Sequence, residues 1–247
     1  MDWRETDGAR RLEAELPHGA RAAFSTRLGG VSEGDFESLN IGFLTEDDAA
    51  NVVENRRRLC AALGLDPADV VIGRQVHGGD IATHEAPQAE AYWAEPGPEP
   101  PHVDGHVITV AGVAGLVFVA DCLPIALAGP GGVAIVHGGW RGLAAGIVGR
   151  GADAVGATAA AIGPGIGPCC YEVGDEVLAA FAPLGDGLAE GRMLDLAAVA
   201  RKLLERAGVT EIDVAGLCTR CDQDLFFSHR GSGGRTGRQA GVAWMEA

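Results

Sequence analysis

Three short stretches of this 247-residue chain place reactive side chains beside glycines. They are RQVHGGD with His77, ADCLPI with Cys122 and AIVHGGWRG with His137. The last opens with β-favouring residues, delivers His137, then turns on Gly138, Gly139 and Gly142 around Arg141. GPGG at 129–132 is a tight-turn signal between two apolar runs, which are expected to pair as a hairpin. That pairing brings Cys122 and His137 together at one end of the hairpin. A cysteine beside a histidine there has three readings: core packing, a nucleophile with its base, or two ligands of one metal. His77 repeats the His-Gly-Gly ending and offers a third donor. Two imidazoles and a thiolate with a fourth position open suit a catalytic zinc, with copper as the other candidate.

Arg141 answers a separate need. Glycines such as Gly138 and Gly139 let backbone approach a ligand closely, and a guanidinium grips a phosphate or carboxylate at two points. The turn is expected to feed a helix whose first amides favour anions. GGWRG therefore reads as an anion pocket beside the metal ligands. The P-loop pattern and the GxGxxG dinucleotide pattern are missing from the sequence. CTRC at 218–221 has CxxC spacing but no matching second pair, and Cys169 and Cys170 are adjacent. No separate structural zinc is expected from them.

The elements that must position these residues follow from periodicity and punctuation. Residues 47–63 read as a helix capped by Asp47 or Asp48 and stopped at Gly64. VVIGRQVHG reads as a strand ending at His77. Residues 86–101, rich in Pro, Glu and Ala, read as a mobile surface loop. The segment after Trp140, residues 172–182 and residues 195–207 have helical spacing, and EIDVAGLCT reads as a strand. The tail from DLFF onward reads as strand, polar loop and strand. Hairpins mixed with helices favour an α+β fold, a single layered domain of mixed β-sheets flanked by helices over residues 1–247.

Bulk properties narrow the function. A formal net charge of -15 opposes nonspecific nucleic-acid binding and attachment to anionic membranes. The local exceptions are NRRRL at 55–59, which reads as the solvated face of a helix, and HRGSGGRTGRQ at 229–239. The first residues are too charged for a signal-peptide core, and the longest apolar run contains Asp121 and Pro124. A cytoplasmic protein is expected, with its six cysteines as thiols, thiolates or ligands.

In order along the chain come FSTRLGGVS, SLNIG, QVHG, DG, ADCLPI, VHGGWRG, IGPGIGPCCYEVG, CT, FFSHR and TGRQ. This set resembles the YfiH-like family, long labelled multicopper polyphenol oxidase or laccase-domain proteins, over about residues 24 to 240. The resemblance implies one transition-metal site, usually zinc, held by the positions of His77, Cys122 and His137. It implies phosphorolysis of adenosine, inosine and methylthioadenosine, with adenosine deamination as a further activity. It carries Arg27 and Asn40 over as substrate residues beside Gly138 and Gly139, with nucleoside and phosphate as partners and Cys122, His137 and Arg141 as the catalytic set. Two alternatives accompany it: copper-dependent polyphenol oxidation, and a hydrolase editing a serine-containing peptidoglycan precursor. Multicopper chemistry needs many histidines, and this chain has seven. The tail departs from the family pattern, with His229 in place of a tyrosine and Gly231 in place of an arginine.

Overall fold

The computed structural model describes residues 1–86, 92–94 and 96–246. Its strands, in chain order, are β1 (Asp2–Thr6), β2 (Ala9–Glu15), β3 (Ala20–Ser25), β4 (Val70–Val71), β5 (Ile81–His84), β6 (Gly105–Ile108) and β7 (Ala114–Val119). They continue with β8 (Leu123–Gly129), β9 (Gly132–Gly138), β10 (Ala159–Ile162), β11 (Ala189–Glu190), β12 (Met193–Leu194), β13 (Glu211–Val214) and β14 (Gln239–Met245). The helices are α1 (Ala49–Leu63), α2 (Trp140–Ala144), α3 (Ile147–Val155), α4 (Asp175–Phe181) and α5 (Leu196–Arg206). One six-stranded sheet runs β1-β2-β3-β14-β7-β4 and a second runs β13-β10-β8-β9-β6-β5. Both are mixed: the β4–β7, β5–β6 and β10–β13 pairs are parallel, and the other pairings are antiparallel. The α+β expectation holds.

Side-chain alternation along the strands stacks the layers. In β8, Ile125 and Leu127 face α3 and α5, whereas Ala126 and Ala128 face the first sheet. In β9, Ala134 and Val136 face the helices and Val133 and Ile135 face the sheet. In β7, Val117 and Val119 point between the sheets, while Ala114 and Leu116 pack with Leu59 and Cys60 of α1. The result is helix, sheet, sheet, helix. A one-residue slip of β8 would force Ile125 and Leu127 into space shaped for alanines. It would also leave holes under the helices, each costing roughly 2–5 kcal/mol.

The hairpin forms with a two-residue turn at Pro130 and Gly131. Gly129 pairs with Gly132, and Leu123 with Gly138 at the far end. α1 begins two residues inside the expected range, with the Asp48 carboxylate accepting from Ala50 N at 2.8 Å, and is capped at its end by Gly64. The helical stretch after Trp140 breaks in two at Gly146, whose φ of 84° no α-helix accommodates.

Several expectations are corrected. The strand at 70 stops at Val71, so His77 stands on a loop. NRRRL is only half solvated. Asn55 and Arg56 are buried, Arg56 donating to the carbonyls of Ile41 and Trp93 and stacking on Phe43, while Arg57 and Arg58 pair outward with Glu54. The DLFF stretch is turn rather than strand, with Phe226 and Phe227 buried by the close of the loop. Within 86–101, residues 87–91 and 95 lie outside the described residues. Trp93 is no surface residue: it is fully buried and donates from its indole to Cys60 Sγ.

Candidate metal centre

His77, Cys122 and His137 converge. Their ligand atoms all lie within 4.8 Å of one another, and the two imidazoles meet edge to face with centroids 4.8 Å apart. Each arrives by a different route. His137 is carried near the end of β9, opposite Pro124 of β8. Cys122 stands just before β8, one residue beyond the last hairpin pair. His77 comes from the loop after β4, which is fastened without strand pairing. The Gln75 side-chain amide bonds both the N–H and the C=O of Phe118, at 2.7 and 2.8 Å, and so imitates a strand neighbour of β7.

Asp104 organises both histidines. Its carboxylate, fully buried, accepts from Val76 N at 3.0 Å, His77 N at 2.9 Å and Gly78 N at 2.8 Å. The same group accepts from His137 Nδ1 at 2.8 Å. The Nδ1 bond leaves His137 Nε2 free to face Cys122 and His77, as in carboxylate–histidine–metal sites. Burial would raise the Asp104 carboxyl, but the bonds from His137, Val76 and Gly78 outweigh it and hold the group below its ordinary value. No reading of the residues alone assigned Asp104 a role. The signal was the DG pair within the resemblance, and only the fold shows what its carboxylate touches.

The electrostatics favour a thiolate. Burial would raise the Cys122 thiol, but the charge and hydrogen bonds of His137 and His77 bring it down to about 6. Burial would lower His137, but Cys122 and Asp104 push it up to about 9. The centre therefore generates its own sulfur anion at neutral pH. Gly139 closes the cradle. A Cβ there would sit 3.1 Å from Cys122 Sγ and from His77 Cδ2, so a side chain at this position would crowd two of the donors. Two imidazole nitrogens and a thiolate, with the Asp104 carboxylate bonding the His137 ring and the His77 backbone, fit a borderline transition metal.

Three arginines lie near this centre. Arg141 is exposed at the start of α2 and stacks on Trp140. Arg141 and Arg230 share the electrostatic field of Cys122 at Tyr171, and Cys122 and Asp121 act on Arg238. Arg230 and Arg238 belong to the FFSHR and TGRQ stretches, and residue types alone did not single them out. Asp121 ties these parts together. It accepts from Thr219 Oγ1 at 2.6 Å and from Arg230 N at 2.7 Å, immediately before Cys122. α2 spans only five residues, so the anion pocket expected beside Arg141 rests on side-chain charge rather than on a helix terminus.

The other carried-over residues lie in a different setting. Asn40 is fully buried with both ends of its amide satisfied. Nδ2 donates to Thr45 and Asp47, and Oδ1 accepts from Gly42 N and Arg238 N. A side chain so saturated holds the loop that carries Arg238 and has no bond left for a ribose. The Arg27 guanidinium donates to the carbonyls of Glu37 and Gln223 and stacks on Phe227, bracing the 218–238 loop. Gly138 packs against Leu123 and Ile125 of β8 rather than facing the centre. His229 is exposed, and Gly231 N bonds Ser228 Oγ in the same turn.

A layered αββα fold with a His–Cys–His cluster held by a buried carboxylate defines a class of candidate metalloproteins. Residues 21–246 match the family model described as multi-copper polyphenol oxidoreductase laccase, and the chain belongs to that family. It is 38% identical to "Purine nucleoside phosphorylase YlmD" of Geobacillus stearothermophilus, over 95% of this chain and 93% of that protein. It is 36% identical to "Purine nucleoside phosphorylase YfiH" of Escherichia coli, over 93% and 95% of the two chains. Among solved structures, YlmD of Geobacillus stearothermophilus superposes with a TM-score of 0.85 at 36% identity, covering 99% of this chain and 98% of that one. A Bacillus licheniformis protein YfiH superposes with a TM-score of 0.87 at 31% identity, covering 99% of both chains. No helix among the described residues is long and apolar enough to cross a membrane.

Proposed function

We propose that this protein is a zinc-dependent purine nucleoside phosphorylase, acting on adenosine, inosine and methylthioadenosine with inorganic phosphate. The observation that carries the reading is the convergence of His77, Cys122 and His137, with Asp104 bonding both histidine segments and Arg141, Arg230 and Arg238 nearby. The names of the relatives, at 36–38% identity over most of the chain, supply the reaction class. In that reaction an oxygen of phosphate bonds to C1′ of the sugar and the C1′–N9 bond breaks. The base leaves with the electron pair and takes up a proton.

His77, Cys122 and His137 would hold the ion. A bound zinc supplies Lewis acidity at its open position. The protein's own residues do the rest. Asp104 keeps His137 and the His77 loop in register, and Gly139 keeps the approach clear. Arg141, with Arg230 and Arg238 nearby, neutralises the phosphate dianion and fixes its orientation. Asn40 and Arg27 act as positioning residues for the loops that carry Arg238 and Arg230. Residues 1–247 act as one domain, a reading supported by the core cluster that the two sheets share.

The copper oxidase reading has less support. Among the described residues, two groups of side chains could hold a metal, and only one of them contains histidine. His84 and His106 are buried against each other, Nε2 to Nδ1 at 3.0 Å.

Incubation of the zinc-loaded protein with adenosine and phosphate, followed by chromatography, tests the proposal. Adenine and ribose 1-phosphate should appear only when phosphate is present. Inosine in the same trace would reveal deamination. Release of serine from a muramyl precursor, with no base released from any of the three nucleosides, would replace this reading with the hydrolase.

A further inference from the structure

We infer that Cys169, Cys170, Cys218 and Cys221 form a second metal centre, a structural zinc tetrathiolate distinct from the His77–Cys122–His137 site. The spacing of these cysteines in the sequence argued against this, because a lone CxxC has no partner pair and neighbouring cysteines seldom share an ion. The fold removes both objections. The four sulfurs all lie within 4.8 Å of one another, with Cys169 and Cys170 each in contact with Cys221, at 3.4 and 3.5 Å. Tetrahedral zinc with bonds of about 2.3 Å needs sulfurs roughly 3.8 Å apart, and the observed cluster brackets that separation. A disulfide would need only one pair. Here four sulfurs gather at one point.

The backbone builds the cluster. Cys170 N and Tyr171 N both donate to Gly167 O at 3.0 Å, a tight turn that carries the adjacent cysteines to the same place. Gly165 bridges Cys218 across the two loops, with Thr219 N donating to Gly165 O at 3.0 Å. A second observation points to a thiolate ligand. Gly167 N donates to Cys218 Sγ at 3.2 Å, and the amides of Cys221 and Arg220 donate to the same sulfur. Amides converging on one sulfur are the usual outer shell of a metal-bound thiolate.

The cluster also sits where a clip is needed. Between β13 and β14 the chain runs from Ala215 to Arg238 without a strand or helix. A structureless run of that length in a compact fold needs something to hold it. Thr219, inside the CxxC, bonds Asp121 next to Cys122, so the clip would steady one wall of the first metal centre. Binding requires loss of the four thiol protons and no change in oxidation state.

The test uses full-length protein, purified reduced and anaerobically with zinc, with metal counted by mass spectrometry. His77→Ala/His137→Ala should keep one zinc per chain, and Cys218→Ser/Cys221→Ser should lose one relative to wild type. Zinc-edge X-ray absorption of the wild type guards against variants that fail to fold: two centres give a sulfur-rich average shell, whereas the His–Cys–His site alone gives one sulfur. A wild-type shell with one sulfur per zinc, or a histidine double variant that folds but holds no zinc, overturns the inference. Neither readout depends on nucleoside turnover.

Discussion

Asp104 is the residue on which the first centre turns, because one carboxylate receives both histidine-bearing segments. Asp104→Asn keeps the shape but replaces one of two acceptor oxygens with a donor and removes the charge, so either the His137 ring or the amides of the His77 loop lose their acceptor. Phosphorolysis and zinc retention should both fall about 10- to 100-fold, the usual worth of such an outer-shell partner; kcat/KM and metal content of the dialysed protein report it. Arg141 makes the opposite case. Stacked on Trp140 and exposed, it contributes little to the fold. Arg141→Ala should therefore raise KM for phosphate about 10- to 100-fold, the value of a charge-assisted hydrogen bond. Its melting temperature should stay near that of the wild type, because exposed substitutions seldom cost more than about 0.5 kcal/mol. A large loss of stability with KM unchanged would assign Arg141 to packing instead.

At the scale of elements, the hairpin of β8 and β9 is the delivery device. Its two-residue turn sets a register in which Leu123 opposes Gly138, and Cys122 and Gly139 emerge just beyond the last pair. Small and large residues alternate on β8, so the register that packs the sheets also aims the site. Helix α1 works at a distance, because Asn55 and Arg56 bond the loops holding Val31, Asn40, Ile41 and Trp93. Its start depends on the Asp48 cap. Asp48→Ala should cost about 1 kcal/mol, seen as a melting temperature lowered by about 2–4 °C, with KM for phosphate unchanged.

The whole molecule is a four-layer stack whose interior buries histidines that the site does not use. His84 and His106 lie against each other in that interior. Burial pushes both below the ordinary value, His106 to about 3, whereas the unfolded chain titrates near 6.5. The unfolded state then binds more protons below that pH, so stability is full above about 6.5 and declines as pH falls toward 3, by at most about 1.4 kcal/mol per pH unit for each ring. In nuclear magnetic resonance, the His106 ring should remain neutral from pH 7 to pH 5, while urea midpoints drop over the same interval. A His106 ring that titrates near 6 would contradict the burial argument.

The division between sequence and tertiary structure follows the range of the interactions involved. Local signals were enough for α1 with a cap at Asp47 or Asp48, for the turn at Pro130 and Gly131, and for Cys122 beside His137, because turn chemistry and side-chain period act over a few residues. His77 was legible as a third donor through the repeated His-Gly-Gly and the family motif. What it was mounted on was not legible: its strand expectation failed because Gln75 borrows the backbone of Phe118, far along the chain. Asn40, Arg27 and Gly138 carried a substrate expectation from their motifs, yet Asn40 and Arg27 bond partners remote in sequence and Gly138 meets its partner strand. The four cysteines are the clearest instance. Two pairs 48 residues apart in number had no common periodicity to announce them. They meet because backbone bonds join the Gly165 and Cys218 loops, which lie far apart in sequence. Donor identity and local pairing were properties of the sequence alone, whereas which donors share a point in space depended on long-range packing that only the folded chain supplies.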